Sequence, residues 1–165
     1  MRLFIGSFAR ILKYEKIKED FSFLRGKWVE PANLHLTYLF LGEVAVPASI
    51  IYRLSQLRYE PKEHPITGLG SFGGRILFAR LDPKPLLPIH RQICDLLGLR
   101  PDKPFRPHIT LCRIKDIGDR RRFEDLLGRY ADTPLGILEP KIHLIESRLA
   151  PKGPIYRPIH TFQSR

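Results

Sequence analysis

Residues 2–8 carry Leu3, Phe4, Ile5 and Phe8 in a short apolar run and predict an opening strand. Tyr14, Ile17, Phe21 and Leu24 then recur at helical spacing, with Gly26 placed to end that helix. Trp28-Val29 is a brief extended piece before Pro31, and residues 34–41 form a strand too apolar to show a face to water. Pro47 opens a second helix whose apolar stripe is Ile50, Ile51, Leu54 and Leu57. Residues 64–72 and 75–81 predict a hairpin around Gly73-Gly74. Leu86, Ile89, Ile93 and Leu96 mark a third helix capped by Gly98, and residues 109–114 a strand. Phe123, Leu126, Leu127 and Tyr130 give a last helix, and two strands, 142–149 and 155–162, flank the turn 151–154.

Strands and helices mixed in this order, with several hairpins, predict an α+β fold rather than a fully parallel sheet. The chain of 165 residues fits one domain, 1–165, with room for a core that needs no metal or disulfide. At 43% hydrophobic and 27% charged, its composition is globular, not disordered. No run approaches the ~18 apolar residues of a membrane helix. Nothing near Met1 resembles a signal peptide, so a cytoplasmic location is expected. Cys94 and Cys112 sit in apolar patterns and read as buried thiols.

Charge narrows the ligand class. Lys and Arg number 28 against 17 Asp and Glu, a net of +11, and such a field draws polyanions, of which nucleic acid is the commonest in a cytoplasm. Charge alone serves a merely solubilising surface equally well, and the densest run, Arg120-Arg121-Arg122, falls on the solvated side of a helix.

The chemistry lies in a duplication. His35-Leu36-Thr37-Tyr38-Leu39-Phe40-Leu41 resembles His108-Ile109-Thr110-Leu111-Cys112-Arg113-Ile114, and each copy follows a loop containing proline. Alternate side chains of a strand share a face, so each copy offers an imidazole beside a hydroxyl, with Leu36 or Ile109 facing the core. Packed about a pseudo-twofold axis, the two pairs converge on one cleft. A cyclic phosphodiester opens with a base to deprotonate the attacking oxygen and an acid to protonate the departing one, and imidazole does either near neutral pH. The threonine hydroxyls can donate to non-bridging phosphate oxygens. No metal or other cofactor is called for. A single His-x-Thr is more often a hydrogen-bonded histidine in a threonine-rich strand; two copies in matching contexts reverse that weighting.

At these residues the sequence resembles the two-histidine (2H) phosphoesterase superfamily, and within it the RNA 2′,3′-cyclic phosphodiesterases also known as 2′-5′ RNA ligases. The likeness runs from Arg2-Leu3-Phe4-Ile5 through Trp28-Val29-Glu30-Pro31-Ala32-Asn33-Leu34-His35-Leu36-Thr37, Phe40-Leu41-Gly42 and Arg75-Ile76-Leu77-Phe78-Ala79 to Phe105-Arg106-Pro107-His108-Ile109-Thr110-Leu111, ending in residues 153–156. The resemblance implies two pseudo-symmetric lobes of antiparallel sheet with helices packed outside, flanking a central cleft. It implies hydrolysis of a terminal 2′,3′-cyclic phosphate to a 2′-phosphate, with reversible ATP-independent 2′,5′ ligation as a related activity. In those roles His108 activates water, His35 protonates O3′, Thr37 and Thr110 hold the phosphate, and Arg113 contacts it by position. Strict alternation puts Arg113 on the opposite face from His108, so it reaches the cleft only where the strand ends or bends. Phe78 stands where the family often has Trp, and Tyr38-Leu39 replaces a pair that often includes Lys. The implied partner is RNA with a 2′,3′-cyclic phosphate end; tRNA fragments, other RNA ends and small cyclic nucleotides all suit the same four side chains, and nothing in the sequence demands more than a monomer.

Other signals carry less. Gly68-Leu69-Gly70-Ser71-Phe72-Gly73 matches G-x-G-x-x-G but leads into a strand, not the helix that dinucleotide binding requires. His64, His90, His143 and His160 lack metal-ligand spacing. Arg106 reads as a loop arginine that could meet RNA phosphates, Phe4 and Phe40 read as core, and Tyr156 lies in a loop-like segment able to face a ligand. Two rivals remain: a module that binds RNA ends without turnover, and a metal-dependent phosphoesterase, for which no carboxylate-His cluster stands at ligand spacing.

Overall fold

The computed structural model describes residues 1–164. Strand β1 (Arg2–Ile11) pairs along one edge with β3 (His35–Glu43). Along its other edge it pairs first with β8 (Ile142–Ala150) and then with the short β7 (Pro134–Leu138), while β9 (Gly153–Phe162) extends β8. In the other half, β6 (His108–Asp116) pairs with β5 (Ile76–Leu81), β5 with β4 (His64–Phe72), and β4 with β7. Strand β2 (Arg25–Trp28) lies on the remaining edge of β6. Every pair is antiparallel, so the α+β expectation holds.

The two expected lobes are β3-β1-β8-β9 and β2-β6-β5-β4, and they are not separate sheets. β7 bridges β1 to β4 at the far end, and β3 meets β6 at the centre through the pair Leu36–Ile109. The route β1-β3-β6-β5-β4-β7 therefore closes on itself. Such closure holds the two His-x-Thr strands in one frame.

The helices cross between halves. α1 (Tyr14–Asp20) follows β1 yet reaches β6, where the Tyr14 hydroxyl meets the Leu111 carbonyl, and it packs through Phe21 against Phe123 of α4 (Arg120–Arg129). α3 (Leu87–Leu97) follows β5 yet packs on β3, beside α2 (Pro47–Leu54). Leu36, Leu77, Ile109, Leu111 and Leu144 fill the core between these layers, each at most 1% exposed. Among the described residues no helix is long and apolar enough to cross a membrane.

Two local expectations need correction. The first helix stops at Asp20, capped by Phe21, so Leu24 and Gly26 lie beyond it. Gly26 belongs to β2, where an added Cβ would fall 2.4 Å from the Arg113 carbonyl oxygen; the glycine is there for close strand approach, not as a helix cap. Strand β7, which carries Pro134 and Gly136, lies outside the predicted elements; pairing on both edges makes it a strand. The Gly73-Gly74 hairpin stands: both glycines have positive φ, and the turn closes with the Arg75 N–H donating to the Phe72 carbonyl before Phe72 pairs with Ile76. G-x-G-x-x-G falls on β4 and its turn, away from any helix N-terminus. Cys94 and Cys112 are buried free thiols, and burial pushes Cys112 up to about 11.

Candidate active site

Strands β3 and β6 bury their residues in the same order. Over 35–40 and 108–113 each reads half-buried, buried, half-buried, buried, buried, exposed. The doubled buried position is a bulge. Against β1, Thr37 pairs with Gly6 and Leu39 with Ile5, which leaves Tyr38 extra; against β5, Thr110 pairs with Phe78 and Cys112 with Leu77, which leaves Leu111 extra. An extra residue resets the two-residue alternation. Hence the side chains at positions one, three and six of each window share the cleft face: His35, Thr37 and Phe40 from β3, His108, Thr110 and Arg113 from β6. This is how Arg113 reaches the site despite simple alternation.

Pairing of Leu36 with Ile109 places the two motifs head to tail. Extending that register puts His35 abreast of Thr110 and Thr37 abreast of His108. The imidazoles are then diagonal neighbours, whose Cα atoms in a regular antiparallel pair lie roughly 7–8 Å apart. Both line one cleft of about 450 Å³. A phosphate fits between groups so spaced.

Each imidazole is held alike. The Nδ1–H of His35 donates to the Asn33 carbonyl (2.6 Å) and that of His108 to the Arg106 carbonyl (2.7 Å). A carbonyl only accepts, so both Nδ1 atoms carry hydrogen and both Nε2 atoms are left for the ligand. His35 sits between Phe4 and Tyr156, with ring centroids at 4.9 and 4.8 Å; His108 sits between Phe72 and Phe78, at 4.9 and 5.6 Å. These ring clamps escaped the sequence reading, since the aromatics come from four other strand positions far away in the chain.

Burial holds His35 below the usual imidazole range; the bond to Asn33 opposes this, and the nearby charges of His108 and Arg113 add to it. Arg2, Lys27, Arg113 and Lys152 line the cleft against a single acid, Glu30. That is an anion site.

Other expectations sort by position. Phe40 is not core: it is 53% exposed in the cleft, with the Arg2 guanidinium 4.9 Å over its ring. Phe4 is buried and touches His35, and Tyr156 lies in β9 against the same ring. Tyr38 and Leu39 are buried on the core side, so the departure there leaves the cleft unchanged. The Arg106 side chain is exposed and serves the site through its carbonyl. His90, His143 and His64 lie away from the cleft; His90 stacks on Phe105, and His143 joins Thr161 and Glu139. Among the described residues, no three His, Cys, Asp or Glu side chains gather as a metal site.

Comparison with known proteins shows the family. Residues 12–77 and 83–156 match the model of the LigT-like phosphoesterases. An RNA 2′,3′-cyclic phosphodiesterase of Archaeoglobus fulgidus is 33% identical over 99% of this chain and 100% of its own. One from Aquifex aeolicus is 34% identical over 90% of this chain and 87% of its own. Among solved structures, TT0787 of Thermus thermophilus superposes with a TM-score of 0.70 at 28% identity, covering 98% of this chain and 97% of that one. Escherichia coli LigT complexed with ATP gives 0.70 at 22% identity over 98% and 96%, a likeness of fold. The duplicated His-x-Thr strands and a match along most of the sequence make this chain a member of the LigT-like phosphoesterase family, within the two-histidine superfamily.

Proposed function

We propose that this chain is an RNA 2′,3′-cyclic phosphodiesterase, acting in the cytoplasm as a monomeric single domain on RNA ends that include tRNA fragments. The observation that carries the reading is the pair of Nε2 atoms left free on opposite strands of one basic cleft, each beside a threonine. The names of the relatives support the substrate class.

In the reaction, His108 Nε2 takes a proton from water as the water oxygen bonds to phosphorus. The P–O3′ bond breaks, and His35 Nε2–H gives its proton to O3′, leaving a 2′-phosphate and a free 3′-hydroxyl. Attack and departure lie on opposite sides of phosphorus, which suits imidazoles placed diagonally. Thr37, Thr110 and Arg113 stabilise the non-bridging oxygens as charge builds. Exposed on the same face, Phe40 offers a ring to a base or sugar. Because His35 is held below the usual imidazole range in the free protein, the acid role draws on the bound phosphate, whose negative charge restores the proton. A 5′-hydroxyl in place of water gives reversible 2′,5′ ligation without ATP.

Incubating an oligoribonucleotide that ends in 2′,3′-cyclic phosphate with the protein and EDTA tests the reading. Conversion to a 2′-phosphate under chelation is expected. Tight binding without turnover would instead make the chain an RNA-end binding module, and loss of activity on chelation would make it a metal-dependent enzyme.

A further inference from the structure

Both bulges are gripped from behind by a helix that follows the opposite motif's partner strand. Tyr14, the first residue of α1, is 6% exposed. Its hydroxyl lies 2.7 Å from the Val29 carbonyl oxygen and 3.2 Å from that of Leu111, the extra residue of β6. The Val29 N–H donates to the same Leu111 oxygen at 2.8 Å. One phenol thus ties the segment entering the first His-x-Thr to the bulge of the second.

His90 of α3 repeats the arrangement with the halves exchanged. Its Nδ1–H donates at 2.8 Å to the carbonyl of Tyr38, the extra residue of β3. Its ring stacks on Phe105, with centroids 4.3 Å apart and planes 3° from parallel. Phe105 belongs to the loop that enters the second His-x-Thr. So a helix side chain again joins one motif's bulge to the other motif's approach.

We propose that Tyr14 and His90 are a matched pair of positioning residues, each holding the bulge that turns a cleft side chain toward the substrate: Arg113 for Tyr14, Phe40 for His90. The physical reason is register. A bulge interrupts the ladder at one residue, and everything beyond it keeps its face only while that residue stays looped. A strand that recovered regular pairing would send Arg113 or Phe40 to the core side. His90 donates to its bulge's own carbonyl, and the single O–H of Tyr14 is shared between the Val29 and Leu111 carbonyls, so each contact opposes that recovery. Burial pushes the Tyr14 phenol far above its ordinary range, so it stays a donor at any working pH.

The substrate used in the test rests on the function proposed above; the grip itself does not. Tyr14→Phe removes one oxygen, and His90→Phe keeps a ring on Phe105 while removing the donor. With a dinucleotide ending in 2′,3′-cyclic phosphate, Tyr14→Phe is expected to raise KM about tenfold and to change kcat less than about threefold. In an Arg113→Ala background the same substitution should alter KM less than about twofold, and His90→Phe should lose its effect in a Phe40→Ala background. Equal fold-changes in both backgrounds mark ordinary structural damage and overturn the proposal, as does an unchanged KM. Amide hydrogen exchange needs no substrate: faster exchange at 111–113 in Tyr14→Phe and at 38–40 in His90→Phe supports the grip. Unchanged exchange overturns it even where wild-type protein leaves the dinucleotide intact, a result that would count against the functional reading alone.

Discussion

Leu36 and Ile109, the middle residues of the two His-x-Thr motifs, are backbone partners where β3 meets β6. Both are at most 1% exposed, so the residues flanking them turn together to the opposite face. One buried pair therefore sets where two imidazoles and two hydroxyls stand relative to one another. The geometry of the candidate site is thus set by the pairing of two strands, and the consequences can be measured.

Replacing either imidazole should remove one proton transfer. His35→Ala and His108→Ala are each expected to lose roughly 10²- to 10⁴-fold in kcat on a cyclic-phosphate oligonucleotide. Both side chains are half-buried at a cleft wall, so thermal melts should stay close to wild type. A folded His108→Ala protein with full activity would sink the mechanism.

The depressed basicity of His35 gives the pH dependence a sign. As the acid, His35 works only while protonated, so kcat/KM, which reports the free protein, falls as pH rises through a value below the usual imidazole range. Bound phosphate anion raises that value. The basic limb of kcat should accordingly lie at higher pH than that of kcat/KM, and an NMR titration of the His35 ring should shift upward on adding a nucleoside 2′-phosphate. Limbs that coincide, or fall in the reverse order, contradict the assignment.

Removing phosphate donors should act unevenly. Thr110→Val keeps the strand and removes one hydroxyl, with an expected loss of about 10- to 100-fold in kcat/KM. Arg113→Lys keeps the charge but not the planar fork, so it should recover only part of what Arg113→Ala loses. Steady-state kinetics on the three variants decides the matter.

Lys27 and Lys152 line the cleft with Arg2, more cation than one cyclic phosphate requires. If they meet the RNA backbone, Lys27→Gln and Lys152→Gln should each raise KM several-fold for an oligonucleotide and leave a cyclic mononucleotide nearly unaffected. Each should also lower the slope of log affinity against log salt by about one. Equal effects on both substrates would place these lysines at the terminal phosphate instead.

At Gly26, space is the constraint. An added methyl meets the Arg113 carbonyl at 2.4 Å, so Gly26→Ala must push β2 away from β6. A loss of about 1–3 kcal/mol in a denaturant titration is expected, with a raised KM because the displaced backbone carries Arg113.

Much of this was legible in the chain itself. Period-two and period-3.6 patterns located most elements, because burying one face imposes that spacing on each strand and helix separately. The repeated His-x-Thr pointed to a paired site, since alternation alone puts the two polar residues of each copy on one face. What the sequence could not determine depends on partners distant in the chain. Gly26 reads as a helix stop until β6 lies against it, and Phe40 reads as core until the bulge at Tyr38 turns it outward. Arg113 has the wrong parity until Leu111 is looped out against β5. Bulges, ring clamps and the grip of Tyr14 and His90 join residues far apart in the chain, so they exist only once the tertiary fold has set those strands and helices side by side.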